Sequence, residues 1–315
     1  MKLSMQTISP ALLPSDGKQP KDKLIYSSTG AAYIDSLYSK GLTDYAAEYA
    51  SKGIFEELNF IAPPVPIASR KFEYKKVGVG DFFADEANDE RARNGDFTRI
   101  SQKGKIVLAS AVNRGLEIAI DKSEITFGAK ERAVRMLIKM LAANELFRAY
   151  SLAKKISVST LSKKWSDATS KPDSDLRNLA EEVGNNCGVR ANKIVISSSA
   201  WGIRMDRYED LPSSVLSPQQ VADKINVGRL LISKENVPIK ENGTISNAPI
   251  LAEGTILAFY NEDDPSDEDF SAIKRFCTDF KVYEEDCVKY VKIAVEHYSL
   301  IAQTGAASVC ALNIS

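Results

Sequence analysis

The stretch Gly128–Lys155, GAKERAVRMLIKMLAANELFRAYSLAKK, decides the fold. It holds no proline and no glycine after Gly128, and it is rich in Ala, Leu, Met, Lys, Arg and Glu, the strongest helix formers. Apolar residues recur at Ala133, Leu137, Met140, Phe147 and Tyr150, at spacings that predict a shared buried side. Val134, Ile138 and Leu141 widen that stripe, which leaves Arg132, Arg135 and Lys139 on the remaining narrow face. A helix of this length is roughly 40 Å long. Such a rod must cross the molecule or bridge to neighbours.

The rest of the chain bounds what this rod can belong to. A length of 315 residues suggests about two domains, and 44% hydrophobic residues are enough for a sizeable core. The net charge is -1, so the whole chain is not a polycation. The charge is segregated nevertheless. Lys122 to Lys164 carries ten Lys and Arg against three Glu, and Asn261 to Tyr290 carries four against ten Asp and Glu. Opposite patches suit subunit association or a basic surface turned toward a polyanion; ordinary solvated faces explain them equally well. Cys187, Cys277, Cys287 and Cys310 show neither zinc-ligand spacing nor a disulfide framework, which fits synthesis in a reducing compartment. The single histidine, His297, lies in an alternating run and reads as a strand residue, not a catalyst. No signal segment and no long apolar span is present, so the reading is of neither a membrane nor a secreted protein.

Taken in order, residues 1–69 read as an N-terminal arm, with prolines at both ends and short helices between, Thr43 being a candidate cap. Residues 70–121 change to strands: KFEYKKVGV puts Phe72 and Tyr74 on one face, and KIVLASAV and LEIAID return the chain. Between them lies a long charged loop with an Asn94-Gly95 turn signal. Phe82, Phe83 and Phe97 in that loop predict burial against another subunit or against the loop's own chain. SVSTLSKKWSDATSKPDSD reads as a connector. Asp173 to Asn261 then alternates helices with the strands KIVISSS, GRLLISK and GTILAFYN, a mixed α/β unit. Its signals include a cap at Asp173 or Ser174, another at Ser217 before Pro218, and a turn at Asn242-Gly243. NEDDPSDED packs six carboxylates into nine residues without calcium-loop spacing and reads as solvated. VKYVKIAVEHYSLIA and AASVCALNIS close the chain as two strands that return to the domain of the long helix.

Chemical motifs are missing. No phosphate-binding glycine loop, nucleophile elbow or zinc-protease helix occurs, and Glu181 with Glu182 reads as helix surface. Ser197 to Ser199 follow a strand as a nucleophile does, but without flanking glycines. No catalytic, cofactor-binding or metal residue is assigned, and no cofactor is expected.

The order of parts resembles the major capsid protein of tailed bacteriophages, whose fold is shared with encapsulins and the herpesvirus capsid floor domain. IAPPVPI at 61–67, KKWSDATSKPDSDLRNLAEEV at 163–183, GVRANKIVISSSAWGIRM at 188–205 and VKYVKIAVEHYSLIAQTGAASVCALN at 288–313 carry the likeness. It implies an α+β class: N-terminal arm 1–69, extended loop 70–121, peripheral domain 122–172 with the long helix as spine, axial α/β domain 173–261, and a peripheral return over 262–315. It implies subunits joining as hexamers and pentamers of an icosahedral shell, with Phe82, Phe83, Arg91, Arg93, Phe97 and Arg99 on the inter-subunit loop. Arg132, Arg135 and Lys139 become candidates for facing packaged double-stranded DNA, non-specifically. A portal and a separate scaffolding protein are implied partners, and the virion, assembled in the bacterial cytoplasm, is the implied location. The crosslinking Lys, Asn and carboxylate of some shells cannot be located. Two alternatives stand beside this: an encapsulin-type shell holding a cargo enzyme, and a soluble α/β enzyme with a pocket at the ends of KIVISSS and GTILAFYN.

Overall fold

The long helix forms over Ala129–Lys155, after Gly128 turns the chain with φ 72°, a conformation that glycine adopts without strain. Glu131 in its first turn and Lys154 and Lys155 in its last complement the helix dipole. The computed structural model describes residues 36–53, 55–78, 104–209, 215–241, 244–266, 269–305 and 308–314, leaving aside the side chains of 238–246. The chain divides into Met1–Tyr38 and Ser39–Ser315, and the architecture below is that of the second unit. Its helices are α1 (Lys40–Ser51), α2 (Glu56–Ile61), α3 (Ala129–Lys155), α4 (Pro172–Cys187), α5 (Ser198–Arg207) and α6 (Pro218–Lys224).

The first sheet contains β1 (Pro64–Pro66), β4 (Val112–Asp121), β11 (Ile273–Cys277), β12 (Lys281–Asp286) and β13 (Tyr290–Gln303). β11 and β12 follow one another along a single edge of β13, from Ile273 opposite Gln303 to Asp286 opposite Val291. β4 lines the other edge, and β1 lies parallel beside β11. Strand alternation puts Val291, Ile293, Val295, His297 and Ser299 in one buried file, and α3 packs on β13 and β4. A separate hairpin of β2 (Lys71–Lys76) and β3 (Lys105–Ser110) is fixed to this sheet by Phe72 and Tyr74, whose rings lie 4.8 and 4.9 Å from Phe276.

The second sheet runs in the order β5 (Ser157–Lys163), β14 (Val309–Ile314), β10 (Thr255–Phe259), β6 (Lys193–Ser197) and β7 (Arg229–Ser233). Its two central members, β10 and β6, are buried at every position. α4 covers β14 and β10, while α5 and α6 pack on β6 and β7. Four expectations are corrected here. The stretch read as a connector supplies β5. The last strand, expected to complete the first sheet, lies in the second, between β5 and β10. LEIAID becomes β4 on β13 and is no part of the hairpin. GRLLISK and GTILAFYN, read with a turn alone between them, have two further antiparallel strands there, β8 (Asn236–Glu241) and β9 (Thr244–Pro249); the Asn242-Gly243 pair itself lies outside the described residues.

Caps explain smaller differences. Ser217 forms a full capping box with Gln220, as its sequence predicts. α4 starts on Lys171 with Pro172 in its first turn, which frees Asp173 to turn its side chain inward. α1 is capped at Ser39, and the Thr43 hydroxyl instead accepts the Val282 amide at 3.1 Å.

One ionic cluster holds α3 to the first sheet. Glu145 is fully buried; its Oε2 accepts from Arg275 Nη1 at 2.8 Å and its Oε1 lies 3.2 Å from His297 Nε2. Arg275 also donates to Asn59 Oδ1 of α2 at 3.0 Å and lies over the Phe55 ring, while Phe280 stacks on His297. Burial pushes the Glu145 carboxyl up, but the His297 contact and the Arg275 charge outweigh it and hold its pKa to about 2. A second joint runs through Asn261, whose side chain donates to the Ile61 carbonyl at 2.8 Å and whose backbone exchanges hydrogen bonds with Asn192.

Two predictions follow from this packing. Because the folded pKa of Glu145 lies below its ordinary 4.5, its contribution is full above pH 4.5 and disappears as pH falls toward about 2. Glu145→Gln leaves Arg275 buried without its anion and lowers unfolding free energy by about 3 kcal/mol at neutral pH. That deficit narrows toward zero between pH 4.5 and about 2; a deficit constant with pH contradicts the assignment. Gly254 has φ 69°, and a Cβ there would stand 2.4 Å from the Ile314 carbonyl oxygen. Gly254→Ala therefore costs about 2 kcal/mol in denaturant melts by prying β14 from its edge; an unchanged midpoint refutes this.

Candidate assembly surfaces

The titratable clusters are absorbed into structure. Asp173 accepts two bonds from Arg204, at 2.7 and 3.2 Å, and one from Lys224 at 2.8 Å, tying α4 to α5 and α6. Trp201 and Tyr208 flank that guanidinium. The Ser197 hydroxyl caps α5, and Ser199 Oγ accepts the Gly254 amide at 2.9 Å, so both serines serve turns. Glu181 lies 3.6 Å from Arg190.

The acidic stretch after Asn261 is largely exposed, as its composition predicts, and two of its carboxylates are held in ion pairs. Asp263 meets Lys193 at 2.7 Å and Arg229 at 3.7 Å, and Asp269 meets the buried Lys274 at 3.0 Å. The Lys193 hydrogen bond holds the Asp263 carboxyl below its ordinary range. Asp267 and Glu268 lie outside the described residues. Among the described residues no group of three or more His, Cys, Asp and Glu is placed to hold a metal. His297 is buried against Glu145 and Phe280 in the strand predicted for it.

Glu57 sits at the joint between α2, α3 and β7. It accepts from the Tyr150 and Ser233 hydroxyls, each at 2.5 Å, and burial raises its pKa. It lines a cavity of about 620 Å³ together with Leu58, Lys139, Ala143, Leu231 and Glu235. The three carboxylates of this open cleft, Glu56, Glu57 and Glu235, do not form a catalytic array without a nucleophile in mutual reach.

What the surface offers instead is exposed apolar side chains on rigid elements. On the hairpin, Glu73 and Lys75 pair with Leu108 and Ile106, and both apolar residues face outward into solvent. At one end of the first sheet, Phe127 and Val288 are almost wholly exposed on turns that are themselves braced. Arg132 donates to the Phe127 carbonyl at 3.0 Å, and Lys122 N–H bonds the Lys289 carbonyl at 2.9 Å. The third surface is the solvent side of α3. Monomers rarely leave such residues bare unless something covers them.

The sequence-predicted residues divide into two groups. Phe82, Phe83, Arg91, Arg93, Phe97 and Arg99 lie outside the described residues, although the hairpin from which their loop springs is described. Arg132, Arg135 and Lys139 lie on the solvent side of α3. The same side carries Met140 and Phe147, which the sequence reading assigns to the buried stripe. Ala133, Leu137 and Tyr150 of that stripe are buried as read, with Val134, Ile138 and Leu141, and the buried side also takes in Glu145 and Ala149. Glu145 escaped notice because a charged residue was not counted as part of an inward stripe, yet it follows Leu141 by one helical turn.

No protein-family model matches the chain, and no curated protein matches its sequence. Solved structures do match. A phage-related protein from Bordetella bronchiseptica RB50 superposes with a TM-score of 0.68 at 16% identity, over 88% of this chain and 97% of that one. The capsid structure of the cyanophage P-SCSP1u gives a TM-score of 0.50 at 9% identity, over 82% and 88% of the two chains. With most of each chain superposed, the protein has the tailed-phage capsid fold.

Proposed function

We propose that the protein is a major capsid protein, a structural subunit that joins copies of itself into hexamers and pentamers of an icosahedral shell around a phage's double-stranded DNA. The observation that carries this reading is the backbone likeness to the two phage structures across most of each chain. The exposed apolar residues on braced elements support it, because a shell subunit must leave surface to be buried by its neighbours. So does the absorption of the acidic and serine clusters into structural roles, which leaves an enzyme reading without a constellation.

In this reading residues 1–69 are the arm, 70–121 the extended loop over a neighbour, and 122–172 with 262–315 the peripheral domain. Residues 173–261 form the axial domain at the ring centre. The exchange of strands noted above makes these divisions of surface, not of folding: β5 and β14 tie the axial sheet to both flanks of the peripheral domain. Arg132, Arg135 and Lys139 meet DNA by charge alone. A portal and a separate scaffolding protein complete the set of partners, and the finished subunit resides in the virion after assembly in the host cytoplasm. No helix among the described residues is long and apolar enough to cross a membrane.

The test separates folding from assembly. Deleting Asp85 to Asp96 is expected to leave a subunit with the wild-type circular dichroism spectrum that no longer sediments as closed shells when co-expressed with its neighbouring genes. Shells of normal sedimentation from the deletion would remove the loop's interlocking role. Nuclease-protected DNA inside wild-type particles supports the phage reading, whereas a co-purifying enzyme in its place supports the encapsulin alternative.

A further inference from the structure

We propose that the solvent side of α3 is a docking seat for an acidic amphipathic helix belonging to a different protein. Met136, Met140 and Phe147 stand 43%, 48% and 50% exposed, and with Ala143 they follow a 4-3-4 spacing. That spacing places them on one ridge, the seam along which a second helix lies against the first. DNA does not require such a ridge, since phosphate contacts are made by cations and polar groups. Methionines suit a helix-binding surface because their side chains adapt to the partner's contour.

Charge selects the occupant. At 100° per residue Arg135 and Lys139 border the ridge on one side, and neither forms an ion pair with another described residue. On that same side the ridge opens into the cavity walled by Lys139, Ala143, Leu146 and Leu231, which gives large apolar side chains of a partner room to enter; Glu56, Glu57 and Glu235, also in its wall, keep the partner's carboxylates out of the cavity and at the Arg135 and Lys139 edge. A helix with an apolar stripe edged by Glu and Asp satisfies both features at once.

A second copy of this chain fits less well. Of α1, α2 and α4–α6, only α5 exposes a large apolar residue, and Met205 stands alone there, so none of these helices offers a matching ridge. The outer face of the β2–β3 hairpin offers Ile106 and Leu108, but beside Lys71 and Lys75 with Glu73 as the one acid. That hairpin face would bring like charge to Arg135 and Lys139. The proposed occupant shares those two cations with DNA, so the helix and a duplex compete for the face. The seat is a property of the folded subunit and stands whether or not the chain builds shells.

The probe is a synthetic three-heptad peptide with leucines in a 4-3 repeat edged by glutamates, fluorescently labelled, titrated against the full-length protein by anisotropy. A sibling with lysines in place of the glutamates is the control. The acidic peptide is expected to bind, and the lysine peptide to fail. Met140→Glu and Arg135→Glu, both solvent-side changes, should each weaken binding at least about tenfold while thermal melting stays unchanged. Short duplex DNA should displace the acidic peptide and should bind Met140→Gln, which removes the apolar ridge residue without adding charge, as well as wild type. Absence of acidic-peptide binding, or equal binding by wild type and both variants, overturns the proposal. Self-association of the wild type that Met140→Glu abolishes assigns the ridge to a second copy and also overturns it. Duplex binding without peptide binding leaves a polyanion site only, with the same consequence.

Discussion

A carboxylate buried in the middle of a helix is the constraint on which the rest depends. Glu145 has no water to solvate it, so the structure must bring cations and donors to one point in the core, and Arg275 and His297 come from two different strands to do so. This fixes the axial position of α3 on the first sheet: a slip by one turn would move Glu145 away from Arg275 and set an apolar residue there in its place. Hydrophobic packing alone tolerates such slips far better, because leucine against valine is nearly as good one turn along. Arg275 extends the clamp to Asn59, so α2 is placed by the same cluster.

The chain then uses this rod to couple two sheets. It leaves the first sheet at β4, runs the length of α3, enters the second at β5, returns through Asn261 to β11, and ends in the second sheet at β14. Two crossings into the second sheet and one back mean that neither sheet can be pulled away without straining the other. Asn261 and Glu57 add polar joints between them, with Tyr150 of α3 and Ser233 of β7 both donating to the Glu57 carboxylate. A subunit that must transmit contact forces from one edge to another gains from this construction, since load on β14 reaches α3 through buried, hydrogen-bonded elements and not through a linker. The projecting parts, the hairpin, the Phe127 turn and the α3 ridge, are each anchored to that frame.

Much of this was legible in the residues. The helix-forming composition of 129–155, the capping box at Ser217, the alternation of VKYVKIAVEHYS and the facing of Phe72 and Tyr74 are local signals, and local physics decides them. The order of elements was enough to point to the capsid fold. What was not legible depends on pairing at a distance. SVSTLSK looks polar because β5 is a sheet edge with one wet face, and nothing within it announces that β14, about 150 residues later, will lie beside it. The buried stripe of α3 was read correctly at Ala133, Leu137 and Tyr150 but wrongly took in Met140 and Phe147, which have the right character for a core; only the position of β13 reveals that the core lies around Glu145. The acidic stretch is exposed as read, but its ion pairs were not legible, because their cations, Lys193, Arg229 and Lys274, come from three separate strands or their ends. The loop aromatics and arginines fall outside the described residues.

The central claim is that this subunit exists to be repeated. Electron microscopy of the purified full-length chain, alone and after co-expression with its neighbouring genes, tests it most directly, with light scattering on the same samples. The account predicts closed shells whose reconstruction shows rings of five and six subunits, each containing one long helix lying flat in the shell wall. A monodisperse monomer or small oligomer in both preparations, at every concentration, would contradict it.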